Sequence, residues 1–207
     1  MTHEEITACF TRSDGRYRFA RWGRPMAPVV FGVEQETLPV IKGAFEAVAR
    51  LAGTSLAETD PDLGANLMVF FVRNWAELPA VPNLDRMIPD LSPLCGRLEQ
   101  EGANQYRLFR FDASGAIRAA FVFLRMDEHL SQLPAETLAL SQAVQTVLLW
   151  SDMAFRQSSP LARVGETVVL RPDIASVIRA AYDPVLPAFT EDPVHALRLA
   201  ARVGPAH

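Results

Sequence analysis

The sequence predicts an α+β domain: a mixed, mostly antiparallel sheet packed by an early helix and a long central helix, with a helical C-terminal third. Three observations carry this. Apolar residues alternate across 104–126, recur every three or four positions across 38–51 and 135–150, and form an unbroken run across 67–72. The first pattern is a hairpin, the second a pair of amphipathic helices, and the third a strand covered on both faces.

Taken in order, RYRFARW (16–22) alternates and reads as a strand. PVVFGV (28–33) continues it past a bend, because Pro25 and Pro28 interrupt ladder pairing. From Leu38 the period changes: Leu38, Ile41, Phe45, Val48 and Leu51 share one helical face, and Gly53 suits its C-terminal cap. TSLAETD (54–60) is a short strand running into the turn PDLGA (61–65). NLMVFFVRN (66–74) is the central strand. A short helix begins at Trp75, PAVPN (79–83) breaks it, and 84–102 is helical with Pro89 and Pro93 limiting its regularity. YRLFRF, DASG and AIRAAFVFL form the hairpin. The central helix follows, then a polar loop, then two C-terminal helices, one opening at Pro172 and one capped by Asp192. No repeat or linker divides the chain, so 1–207 reads as a single domain with its N-terminal ~15 residues loose.

Lys and Arg number 20 against 24 Asp and Glu, a net charge of −4 without any block of like sign. That balance argues against nucleic acid or an anionic membrane surface as a partner. The longest apolar runs, LMVFFV and AAFVFL, are too short for a membrane span. The N-terminus lacks an apolar signal segment, so a cytoplasmic protein is expected as the chain stands; removal of a natural signal would make it periplasmic or envelope-bound. Cys9 and Cys95 allow one disulfide at most, and neither has the spacing of a zinc knuckle or redox pair. The nucleophile elbow, the P-loop and the dinucleotide fingerprint are absent. Residues 58–62 alternate carboxylates like the start of a calcium loop, but Gly64 falls one position late and Val69 stands where the bidentate glutamate belongs. No cofactor and no metal are expected.

RYRFARWGRPMAPVVFGV, GANLMVFFVRN, the helix ending in Ser151-Asp152 with SSPLA after it, and LRPDIASVIRAAYDPVL together resemble a proteobacterial family of unknown function with a zincin-like, metallopeptidase-type fold. The resemblance covers most of the chain. It implies a central helix where a true zincin carries H-E-x-x-H, two histidine ligands and a water-activating glutamate. That motif is missing. With Gln142 in the second histidine's place, Leu138 and Ala139 stand for His and Glu; with Glu136 as base, Ala135 and Ala139 hold the ligand positions. The positions the resemblance carries over are Gln142, Asp152, Ser159, Asp173, Tyr182 and Asp183. Gln142 flanks the apolar stripe of the central helix and also reads as solvated there, and the others have a local reading as a cap, a turn former or, for Tyr182, a packed aromatic with its hydroxyl at the surface.

The expected function is therefore a non-catalytic zincin-like scaffold. A peptidase cleft lies along a sheet edge, so a peptide or protein partner bound as an extended strand is the natural inheritance. Gln142, Ser159, Asp173 and Tyr182 are the binding candidates. Arg21 and Trp22 join them, because Arg16, Arg18, Arg21 and Arg24 crowd the start and a basic patch beside Trp22 suits a carboxylate or an acidic segment. The same arginines also read as edge-strand charges that block aggregation. The alternative is a hydrolase or peptidase-like enzyme, with Glu136 as base and His129 and Asp152 nearby. His129 follows a strand, where loops present site residues; His3 and His207 are terminal, and His195 lies in the last helix. A third reading makes the apolar C-terminal helices an oligomer interface.

Overall fold

The N-terminal residues, expected to be loose, form a capped helix. In the computed structural model, which describes residues 1–203, α1 (His3–Phe10) opens with a capping box. The Glu5 amide donates to the Thr2 hydroxyl at 3.3 Å, and the Thr2 amide donates to the Glu5 carboxylate at 2.7 Å. Ile6, Cys9 and Phe10 are buried, so tertiary packing holds the segment down. His207 lies outside the described residues.

The alternation of 16–22 gives only a fragment of strand. β1 (Phe19–Ala20) pairs antiparallel with residues 189–190, and its neighbours make single bridges: Tyr17 to Thr11, Arg21 to Leu148, Trp22 to Ile117. The segment threads between elements instead of joining the sheet. β2 (Pro28–Phe31), α2 (Leu38–Leu51) and β3 (Leu67–Val72) then form a strand–helix–strand unit, with β2 and β3 parallel and Pro28 opposite Leu67. Residues 54–60 contribute bridges alone, Leu56 to Met26 and Asp60 to Gly64.

After β3 the chain makes a 3-10 turn at Trp75–Ala80, then α3 (Leu84–Met87) and α4 (Leu91–Gln100), split where Asp90 adopts a φ of 59° just after Pro89. The hairpin follows as expected, β4 (Gln105–Phe111) and β5 (Ile117–Arg125), its turn tied by Asp112 accepting from Ser114 and Ala116. β5 inserts between β3 and β4, giving the order β2-β3-β5-β4. The domain is mixed α/β, but its largest sheet is not mostly antiparallel: β2, β3 and β5 run parallel, and β4 alone opposes them. Helical crossovers connect β2 to β3 and β3 to the hairpin, and parallel neighbours need such crossovers.

α5 (Glu128–Ser131) precedes α6 (Ala135–Thr146), the central helix. It stops short of the expected Trp150, because its last carbonyls are claimed from outside. The Trp22 indole donates to Thr146 O at 2.9 Å, Trp150 to Val144 O at 2.8 Å, and the Tyr182 hydroxyl to Val147 O at 2.8 Å. After the C-cap Val147, residues 148–151 run alongside the N-terminal segment, with Leu149 N–H donating to Ala20 O and Ser151 N–H to Cys9 O. The supposed polar loop contains a hairpin, β6 (Leu161–Val164) and β7 (Thr167–Leu170). α7 (Pro172–Ala181), β8 (Phe189–Thr190) and α8 (His195–Val203) complete the chain.

Two cores share the sheet. Val122 and Leu124 of β5 face α1, α2, α6, α7 and α8; Phe121 and Phe123, on alternate positions, face Trp75, Leu84, Leu91 and Cys95. The free thiols Cys9 and Cys95 lie in different cores. Among the described residues no helix is long and apolar enough to cross a membrane.

Candidate functional site

α6 packs beneath the hairpin, and Gln142, read from the sequence as flanking and solvated, is only 2 % exposed. Its side chain meets β4. Arg107 Nη2 donates to Gln142 Oε1 and, at 3.1 Å, to Gln105 Oε1, while Gln142 Nε2 donates to Gln105 Oε1 at 3.0 Å. Two neutral amides thus hold one guanidinium at the wall of an open cleft of about 700 Å³. Burial lowers the Arg107 pKa to about 10, which leaves it cationic at neutral pH. Its Nε is enclosed and has no hydrogen-bond partner among the described residues.

The cleft lies between β4 and the segment that follows α6. Phe109, Phe111, Trp150 and Phe155 give it aromatic walls, with Trp150 edge-on to Phe155 at 5.1 Å. Arg12, Arg18 and Arg156 also line it, and among the described residues Asp152 is the one carboxylate there. Asp152 is engaged: its Oδ1 accepts from the Ser13 amide at 3.0 Å, and this bonding, with the Arg12 charge, keeps its carboxyl below the usual range. Four guanidinium groups against one carboxylate make the cleft locally basic on a chain of net charge −4.

β4 adds a second feature. The Arg125 amide donates to Asn104 O at 2.8 Å, so alternation along the antiparallel ladder commits Tyr106, Leu108 and Arg110 to β5. The amides and carbonyls of Gln105, Arg107 and Phe109 therefore point to the open side. Among the described residues nothing bonds them. A second, shallower depression, lined by Tyr106, Leu108, Pro93 and Arg97, flanks the other face of the same strand.

Of the residues singled out in the sequence, Asp152 lines this cleft, and Gln142 is buried behind its wall, bonded to Arg107 and Gln105. Glu136 is exposed in the first turn of α6, and the helix between it and Asp152 rises ~15 Å. His129 lines a separate small depression with Ser159, whose hydroxyl accepts from the Leu161 amide at 3.1 Å. Asp173 pairs with Arg171 and accepts from the Ile174 amide in the first turn of α7. Asp183 pairs with Arg202 at 2.5 Å. Tyr182 does not carry its hydroxyl at the surface; it holds Val147 O, and burial pushes its pKa up. Arg21 lies over the Tyr182 ring at 5.5 Å, and Trp22 is 3 % exposed with its indole committed to α6. Arg21 and Trp22 therefore brace the helix end and do not form an open basic patch.

Sequence reasoning passed over Gln105 and Arg107. Their signal is in the alternation: positions 105, 107, 109 and 111 share one face, and that face reads Gln, Arg, Phe, Phe. Polar residues on the inward half of an otherwise apolar face mark a lined cavity. Among the described residues no three His, Cys, Asp or Glu side chains cluster as metal ligands would. No family profile, no curated protein and no solved structure matches the chain.

Proposed function

We propose that this chain is a non-catalytic binding domain whose cleft takes an extended segment of a partner polypeptide as a strand added to β4. The observation that carries this is the open edge of β4, where the backbone groups of Gln105, Arg107 and Phe109 stand unpaired beside a basic, aromatic-walled cleft. Strand addition satisfies such groups by main-chain hydrogen bonds and leaves alternate ligand side chains to fill pockets on either face. The zincin-like resemblance supports the same reading, since a peptidase cleft runs along a sheet edge. So does the chemistry of α6, where Leu138 and Ala139 are buried apolar residues at the positions a metal-binding helix would use.

The test is selection of binders from a library of random dodecapeptides displayed on phage, followed by amide hydrogen exchange of the whole chain with a selected peptide. The reading expects slowed exchange at Gln105, Arg107 and Phe109. Selection that yields no binder, or protection confined to other elements, removes it.

A further inference from the structure

Among the described residues, five half-buried arginines have an enclosed Nε that meets no acceptor: Arg18, Arg21, Arg107, Arg118 and Arg125. Four of them have their charge answered in another way. Glu191 lies 3.9 Å from Arg18, Asp62 lies 3.7 Å from Arg118, and Glu99 lies 3.7 Å from Arg125. Arg21 stacks on Tyr182, as Arg18 also does on Phe111 at 4.8 Å. Among the described residues Arg107 has neither a carboxylate within 4.0 Å nor an aromatic face, and its partners there are two amide oxygens. An amide oxygen satisfies a donor but does not balance a charge, and an enclosed cation without a counter-ion is costly.

From this we propose that Arg107 is a carboxylate-binding residue, and that the cleft selects an acidic side chain, glutamate or aspartate, on the strand it receives. The inference rests on the strand-addition reading for the identity of the ligand, but the carboxylate site itself stands on Arg107. Gln105 and Gln142 fix Nη2 and so orient the guanidinium, whereas Nη1 has no protein partner among the described residues and is not enclosed. A pre-set guanidinium loses little freedom on binding, and its free Nη1 offers charged N–H donors to a carboxylate. Directly opposed residues on neighbouring strands put their side chains on the same face, with Cβ atoms roughly 5 Å apart. A ligand residue opposite Arg107 therefore points into the cleft alongside it. Ligand residues two positions away meet Gln105 on one side and Phe109 on the other. Arg12, Arg18 and Arg156 around the cleft add a field that draws in an acidic segment.

The probe is glutarate, with glutaramide as its uncharged twin, titrated into the full chain while the side-chain NMR signals of Arg107 and Gln142 are followed. The expected result is a saturable shift with glutarate, none with glutaramide, and binding weakened at least ~10-fold in Arg107→Gln. Arg110→Gln, on the other face of β4, keeps the affinity. The shift in the unaltered protein locates the site even if a variant folds poorly. Equal response to the two probes, a shift that survives Arg107→Gln, or tighter binding of inorganic phosphate than of glutarate overturns the proposal. Glutarate binding with no peptide protecting the β4 edge removes strand addition and leaves the carboxylate site. Selected peptides that protect the edge but carry no acidic residue remove the carboxylate preference and leave strand addition.

Discussion

The two edges of the sheet are built in opposite ways. At β2 the polar groups satisfy one another. Asn66, fully buried, accepts from the Ala27 amide at 2.7 Å and donates to Pro25 O and to Asp60, each at 2.9 Å. Asp60 also accepts from the amides of Asp62 and Leu63 and pairs with Arg24 at 3.2 Å. The strand has four residues, begins at a proline, and is continued by the Ala57 amide donating to Met26 O at 2.8 Å. Short length and proline are the usual defences of an exposed edge. β4 is seven residues long and, among the described residues, keeps an outward row of backbone groups unpaired and carries a guanidinium without a counter-ion. The contrast teaches where stability and binding are separated: changes near β2 should cost folding free energy, and changes on β4 should cost ligand affinity.

The largest effect is expected at Gly32, immediately after β2. Its φ is +80°, and a Cβ built there would lie 2.0 Å from the Phe71 carbonyl oxygen on β3. Gly32→Ala combines a left-handed backbone with a backbone collision, and the parallel β2–β3 pairing must open to relieve it. The expected cost is about 3 kcal/mol or more in urea unfolding. A loss under about 1 kcal/mol would show that β2 contributes little and end the comparison.

Next is Asp60. Burial by itself would raise its pKa, but the amides of Asp62 and Leu63, the Asn66 amide group and Arg24 outweigh that and bring it down to about 2, from an ordinary 3.8. Because the folded value is the lower one, the stabilisation is complete above roughly pH 5 and fades as the pH falls through 3.8 toward 2. Asp60→Asn should cost about 2 kcal/mol near neutrality and flatten that part of the pH–stability curve. A variant that keeps the parent's slope between those values would show that other carboxylates carry the acid sensitivity.

A smaller effect is expected on the β4 side, where the cleft wall hangs from α6. Tyr182→Phe leaves Val147 O without its donor at 2.8 Å and should cost about 1 kcal/mol, since the half-buried site lets water replace part of the bond. Amide exchange across 147–151 should quicken while that of β2 stays unchanged. Equal quickening in both regions would mean the wall is not independent of the sheet.

These residues also show what the sequence could convey. α2, β3 and the β4–β5 hairpin follow from periodicity, because each signal is local and one face is buried. The strand–helix–strand order of 28–72 pointed to parallel pairing, but alternation in the hairpin dominated the reading of the sheet. α1 leaves no clear periodic signal although Thr2 and Glu5 hold capping-box spacing, since the helix is short and stabilised by contacts far along the chain. The apolar period runs past the end of α6 to Trp150, and tertiary donors such as Trp22, 124 positions away, end the helix sooner. Gln142 read as solvated for a similar reason: its partner Arg107 is 35 residues distant. Residues that answer one another across such separations leave no local pattern, and the cleft is made of them.

The smallest stability effect, and the one that most sharpens the comparison, is expected at Arg107. Replacing it with methionine removes the donor to Gln142, which leaves a buried amide oxygen short of a partner and costs about 1 kcal/mol. It also removes an enclosed cation that no carboxylate balances, and relief of that desolvation acts in the opposite direction. The two terms offset, so Arg107→Met should lie within about 1 kcal/mol of the parent in urea unfolding. Arg107→Met combined with Gln142→Leu, which removes the orphaned amide as well, should equal or exceed the parent. Asp60→Asn offers no such offset, because Asp60 is already answered on every side. If Arg107→Met instead destabilises as strongly as Asp60→Asn, the guanidinium is a structural brace for α6 and β4, and the difference between the two edges disappears.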